Sequence, residues 1–296
     1  MNNGSAWDIL NPMQDEREYE LYHHFSHRRK TPEFHSHDFY EIYFFISGDV
    51  SFYIEEYACR MKPNDVVIVP PGRMHRAYFQ NPEAYYERMF IYISKSALRD
   101  MGVNDFSILD IIDERVARGI FCHSLSDKDF HAFLQVISEI ISNEVGAPPY
   151  QRLINRCKLT MMLTRMCELF SQTEEEPSSP SVKRVAAVIA YINERISQDL
   201  SLDELSSQFF ISKYHLIREF KSYTNKSVYQ YIVAKRIIQA KLLMQSGIHP
   251  TDVYLKCGFR EYSSFFKAFK KETDMSPQQY LACLGVGARR MERQTV

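Results

Sequence analysis

Shifted against itself by 49 residues, the C-terminal part of this 296-residue chain matches: Phe220-Lys221 falls on Phe269-Lys270, Thr224 on Thr273, Ser227 on Ser276 and Gln230-Tyr231 on Gln279-Tyr280. A repeat of that length is one supersecondary unit used twice. Both copies carry matching local signals. Ser201-Leu202-Asp203-Glu204 spells a capping box that opens a short helix ending near Gln208, and Ser212 caps a second helix whose Leu216 and Phe220 face inward. In the other copy Pro250 suits a first helical turn, Cys257-Gly258-Phe259 makes the bend, and Phe265 and Phe269 form the inward stripe. Ser227 with Gln230, and Ser276 with Gln279, repeat the capping box on the helices that follow. Short helix, tight turn, second helix is the helix-turn-helix pattern.

Charge supports that reading. The net value of -1 hides an asymmetry: residues 1–181 hold 18 basic against 27 acidic residues, and residues 182–296 hold 18 against 10. The basic part is the one expected to meet a polyanion. The outward faces of the two second helices offer Lys213, Tyr214, Ile217 and Arg218, then Glu261, Tyr262, Ser263 and Lys267. In a helix-turn-helix this face enters the major groove, where Arg218 can pair with guanine and Ile217 can pack on a thymine methyl. Lys221 and Lys270, with Lys226 and Lys271, are placed to hold phosphates. The two faces differ, so one chain is expected to read an asymmetric site, with the stronger grip from the first unit. The plainer alternative is a helical repeat whose basic face is merely solvated.

Residues from about 183 to 283 resemble the DNA-binding domain of the AraC (arabinose regulator) family. The resemblance rests on Leu202–Leu205, Ser212–Lys221, Tyr231–Ala240, Cys257-Gly258-Phe259, Ser263–Lys270 and Ser276-Pro277 to Tyr280. It implies that one long helix, about Val228–Gln245, joins the two units and that they occupy adjacent major grooves about one turn apart. Phe209-Phe210 stands where the family often has a glycine, and Pro250 and Tyr254 replace the usual Ile and Ala. The bulk of Tyr254 predicts a more loosely docked second unit.

The stretch 173–181 is polar and proline-broken, which suggests domains at 1–172 and 182–296 with a linker between. Upstream, Phe39–Ile46, Val50–Glu56, Asp65–Val69 and Tyr85–Ser94 read as strands separated by turn signals, as in a small barrel or sandwich. Apolar residues then recur at helical steps over 127–146 and 150–172. These two helices either cover the sheet or pair with a second subunit. His35-Ser36-His37-Asp38-Phe39-Tyr40-Glu41, followed by Gly48, resembles the first motif of the cupin barrel, and Pro70 to His75 resembles the second, with Asn64 in place of its leading glycine. The expected fold is therefore α+β: an N-terminal cupin β-barrel with two long helices, then an all-α domain with two helix-turn-helix units. Residues 35, 37 and 41 share parity, so on one strand they would point to one face, and His75 would complete the set. Three histidines and a glutamate suit a divalent transition metal (Mn, Fe, Ni or Zn) with open positions for a ligand. The same groups, with Tyr43, can instead hydrogen-bond a sugar-like or carboxylate effector without a metal. Arg73 and Arg76 are placed at the rim.

Six scattered cysteines without a CxxC pair read as reduced thiols. No run approaches the ~20 apolar residues of a membrane span, and no signal peptide is evident, so the chain reads as cytosolic. The expected function is a ligand-responsive transcription regulator, not an enzyme. Its expected partners are double-stranded DNA, a small-molecule effector, a second copy of the chain and, for an activator, RNA polymerase, with no membrane. A metal-dependent cupin enzyme and a constitutive DNA-binding protein with a structural barrel are the alternatives. Neither the effector, the operator nor the sign of regulation is written in the residues.

Overall fold

The computed structural model describes residues 17–27, 31–172 and 184–283, and the linker expected at 173–181 lies outside them. The chain divides into two compact units, Met1–Ser181 and Val182–Val296. In the first, β1 (Tyr19–Ser26), β2 (Tyr40–Ser47), β3 (Val50–Ile54), β4 (Tyr57–Arg60), β5 (Asp65–Val69), β6 (His75–Phe79) and β7 (Tyr86–Ile93) precede α1 (Lys95–Asp100) and α2 (Ile108–Ala117). Then come β8 (Cys122–Ser124), α3 (Asp127–Glu144) and α4 (Pro149–Gln172). The strands form two antiparallel sheets, ordered β1-β7-β2-β5-β8 and β4-β3-β6.

Pairing register determines which side chains share a face. Glu41 lies opposite Val69 and Tyr92, Tyr43 opposite Val67 and Phe90, and Phe45 opposite Arg88. That face looks onto the smaller sheet, because the Tyr43 ring meets Phe52 of β3 at 5.0 Å. The alternate residues of β2 and β7, among them Ile42, Phe44, Met89 and Ile91, meet the helices. Phe44 packs on Phe130 and Phe133, and Ile137, Ile140, Leu159, Leu163, Met166 and Phe170 join the same core. Each such buried side chain is worth about 1.5–3 kcal/mol in area removed from water. The layers are thus helices, five-stranded sheet, three-stranded sheet.

The closed cupin barrel expected from the histidine motifs is not formed. Among the described residues no ladder joins the two sheets: β1 and β8 remain edges of one, β4 and β6 of the other. At the β4–β8 side the side chains of Cys59 and Cys122 meet, with no ladder between the two strands. The parity argument fails for a related reason. β2 begins only at Tyr40, while His35 makes an isolated bridge to His75, with N–H···O distances of 3.1 and 2.8 Å. The segment between crosses from the edge of one sheet to the middle of the other.

The second unit contains α5 (Arg184–Glu194), α6 (Leu202–Gln208), α7 (Lys213–Thr224), α8 (Val228–Gln245), α9 (Pro250–Lys256) and α10 (Tyr262–Thr273), followed by helical turns at 277–283. Helices α6–α7 and α9–α10 are the two copies, and α8 serves both. Its Tyr231 packs edge-on to Phe220 at 5.5 Å, while its Ile237, Ala240 and Met244 join Val253, Phe265 and Phe269. Arg236, between these halves, donates to the carbonyls of Ile196 (3.0 Å) and Gln198 (2.6 Å).

The repeat is kept to the level of single bonds. Asn225 and Asp274 end α7 and α10 in the left-handed conformation, with φ of 57° and 56°. Thr224 and Thr273 lie 2.8 and 2.7 Å from the carbonyls of Phe220 and Phe269. Ser227–Gln230 and Ser276–Gln279 both close reciprocal capping boxes. At Ser201 only half of the box is made, since the Glu204 carboxylate accepts the Tyr191 hydroxyl at 2.9 Å. The bends differ: four residues, 209–212, separate α6 from α7, and five, 257–261, separate α9 from α10. Tyr254 is absorbed into the second core, edge-on to Tyr262 at 5.7 Å.

Candidate functional site

Three polar side chains converge between the sheets near the start of β2. His37 Nε2 lies 3.3 Å and His75 Nε2 3.1 Å from the same oxygen, Oε2 of Glu41. The other ring nitrogen of each histidine is already committed. Nδ1 of His37 faces the Phe39 carbonyl at 2.8 Å, and Nδ1 of His75 faces the Arg73 carbonyl at 3.0 Å. A carbonyl can only accept, so each Nδ1 carries the proton and each Nε2 presents a lone pair when the ring is neutral. Burial lowers the His37 pKa, which favours the neutral ring. For Glu41, burial works to raise the pKa, but the two imidazoles outweigh it and hold the carboxyl well below the usual carboxylate range. Two ring nitrogens and a carboxylate oxygen therefore meet within one buried space between the sheets.

Of the other expected residues, His35 packs its ring 4.3 Å from that of His75, and its Nδ1 faces the Glu33 carbonyl at 3.1 Å. Burial lowers its pKa to about 3. It lines the cluster without joining the three convergent atoms. Tyr43 shares the Glu41 face, yet its hydroxyl is engaged by that of Tyr86. Arg73 pairs with Glu55 at 2.6 Å, and Arg76 is buried among Phe34, Tyr53 and Tyr78, so Arg76 does not stand at the rim. Sequence reasoning missed Phe52, stacked 6.0 Å from His75, and Tyr92, 5.7 Å from His37. It also missed Tyr86 and Arg88. Tyr86, Arg88, Phe90 and Tyr92 alternate along β7, and that alternation was the available signal.

On the second unit, Lys213, Tyr214, Ile217, Arg218 and Lys221 are exposed along α7. Ser212 caps this helix through the His215 N–H at 3.3 Å, Lys213 pairs with Asp203, and the Arg218 guanidinium lies 6.0 Å over the Tyr214 ring. On the second copy Glu261, Ser263, Lys267 and Lys270 are exposed. Tyr262 is half-buried against Tyr254 and Phe265, so it belongs more to the core than to the outer face. Glu261 occupies the N-cap of α10 without a side-chain capping bond.

Residues 19–137 match the family model described as an AraC-like ligand binding domain, and residues 205–282 match that of a helix-turn-helix domain. The chain is similar to the probable transcriptional regulator LumQ of Photobacterium leiognathi, with 25% identity over 255 residues, covering 85% of this chain and 92% of that one. It is also similar to YbfI of Bacillus subtilis, an uncharacterized HTH-type transcriptional regulator, with 25% identity over 229 residues, 77% of this chain and 79% of that one. Among solved structures it is similar to ToxT from Vibrio cholerae, with 12% identity, coverage of 90% and 99%, and a TM-score of 0.37. Among the described residues no helix is long and apolar enough to cross a membrane.

Proposed function

We propose that this chain is a DNA-binding transcription regulator of the AraC type with an N-terminal ligand-binding region, and that it senses through His37, Glu41 and His75. The occupant is a divalent transition metal, with open positions left for a small polar effector. The convergence of two Nε2 lone pairs and a carboxylate oxygen carries this reading. Ligands ~2.0–2.2 Å from one metal stand about 2.8–3.6 Å apart, from octahedral to tetrahedral angles, and the observed N···O separations are 3.1 and 3.3 Å. Histidine ligands that donate their other N–H to a backbone carbonyl are the usual second layer of such sites. Metal analysis of the purified full chain tests it. About one equivalent is expected, lost in both His37→Ala and His75→Ala. Wild-type protein free of metal after refolding with each of Mn, Fe, Ni and Zn would sink this reading.

The α7 and α10 faces are the DNA-reading surfaces, with Arg218 and Ile217 on bases and Lys221 and Lys270 on phosphates. An acidic Glu261 at the start of α10 suits a cytosine amino group, so the site read by one chain is asymmetric. Arg218→Ala is expected to weaken specific binding by about 1–3 kcal/mol and relax one base position. Lys221→Ala should weaken all sequences alike and reduce the salt dependence. An Arg218→Ala protein with an unchanged footprint and affinity would count against this assignment. The regulator acts as a dimer, through the outer face of α4 considered below.

A further inference from the structure

Cys59 and Cys122 lie on edge strands of different sheets, and their sulfurs stand 2.9 Å apart. That is within about 1 Å of the ~2.05 Å disulfide bond length. Both side chains face the space between the sheets, since Cys59 pairs in register with Phe52 and Cys122 with Val67. A small cavity lined by Phe52, Ile54, Tyr57, Val67 and Phe121 adjoins the pair. We propose that Cys59 and Cys122 are an oxidation site, forming a disulfide that ties the three-stranded sheet to the five-stranded one when the protein meets a peroxide.

The step balances with hydrogen peroxide as oxidant. The Cys59 thiolate attacks one peroxide oxygen; an S–O bond forms, the O–O bond breaks, and the departing hydroxide takes a proton to leave as water. The Cys122 thiol then attacks the sulfenic sulfur; the S–S bond forms and the S–O bond breaks, releasing a second water. Two thiols lose two electrons and two protons, and one peroxide becomes two waters.

Reactivity differs among the cysteines in the direction this requires. The hydrogen bond to Cys122 holds the Cys59 thiol below its ordinary pKa. Burial pushes Cys167 and Cys257 up to about 12, which makes them inert. Asp65 also lies near the pair, but a metal fits the geometry less well. Two thiolates on one ion with ~2.3 Å bonds stand well beyond 2.9 Å. The Asp65 oxygens, moreover, are engaged by the Ser124 hydroxyl (2.6 Å) and the Lys62 N–H (2.8 Å).

The test uses the reduced full chain treated with hydrogen peroxide, quenched and digested without reductant. A peptide pair linked through Cys59 and Cys122 is expected, with the intact protein lighter by two hydrogens and the change reversed by dithiothreitol. The link should raise the melting temperature of the wild type but not of Cys59→Ser or Cys122→Ala, two variants chosen so that one folded control remains. The exposed Cys157 and Cys283 provide the comparison for unselective oxidation. Cys59 and Cys122 recovered separately in sulfinic form overturns the proposal. So does a zinc ion retained by the wild type and lost from both variants.

Discussion

Phe210 sits at the bend of the first helix-turn-helix with φ of 51° and 96% of its surface exposed. The corresponding bend of the second copy holds Gly258, with φ of 84°. Left-handed backbone costs a residue with a Cβ about 1–2 kcal/mol, and the exposed ring gains little packing in return. Phe210→Gly should therefore stabilise the C-terminal unit by about 1 kcal/mol, raising its melting temperature. Gly258→Ala should do the opposite, and more strongly. A Cβ there would lie 2.8 Å from the Ser197 carbonyl oxygen, so the steric clash adds to the conformational cost and a loss above ~2 kcal/mol is expected. Equal effects of the two changes in thermal melts would show that the bends are not strained as described.

Helix α4 has two apolar faces. Leu159, Met162, Leu163, Met166 and Phe170 are buried in the core of the first unit, whereas Tyr150, Leu153, Ile154, Cys157 and Met161 are exposed at steps of three and four. A second stripe of this kind suits a second copy of the chain. If the chain pairs through this stripe, the wild type should sediment as a dimer and Met161→Glu with Leu153→Glu as a folded monomer; sedimentation unchanged by the pair would remove α4 from the interface. The apolar pattern over 150–172 does not by itself separate this outer stripe from the inner one, because at these spacings the two faces blur. Elements with strong alternation or clear caps were legible: β5 matches its expected bounds and Ser227 and Ser276 cap as read, while the bounds of α8 match those the family resemblance implies. Strand β1 was missed because its YELYHHFS pattern is an aromatic and polar edge, half in water, and β8 because three residues carry no period. The cluster was legible as a set of residues but not as a geometry. Which rings share the Glu41 oxygen depends on a crossover between sheets that local alternation cannot reveal.

At the scale of the molecule, the two units have separate hydrophobic cores: Ile42, Phe44 and Leu163 pack in the first, and Ile237, Phe265 and Phe269 in the second. Domains with separate cores need not melt together, so a single melting temperature is not well defined. Calorimetry should resolve two transitions, and Phe269→Ala, costing about 3–5 kcal/mol, should lower only one of them. Both transitions falling together would mean that the units unfold as one. The open sandwich has a consequence of its own. Because no ladder joins the sheets among the described residues, they can part without breaking a ladder hydrogen bond. The work of admitting a guest is then set by side-chain contacts, the Glu41–His75 pair among them, and the ladder amides take no part in it. Hydrogen exchange at β2, β5 and β7 should stay equally slow in metal-loaded and chelator-stripped protein, while the aromatic resonances of Phe52 and Tyr92 shift. Faster amide exchange on stripping would place the hinge within the sheets instead of between them.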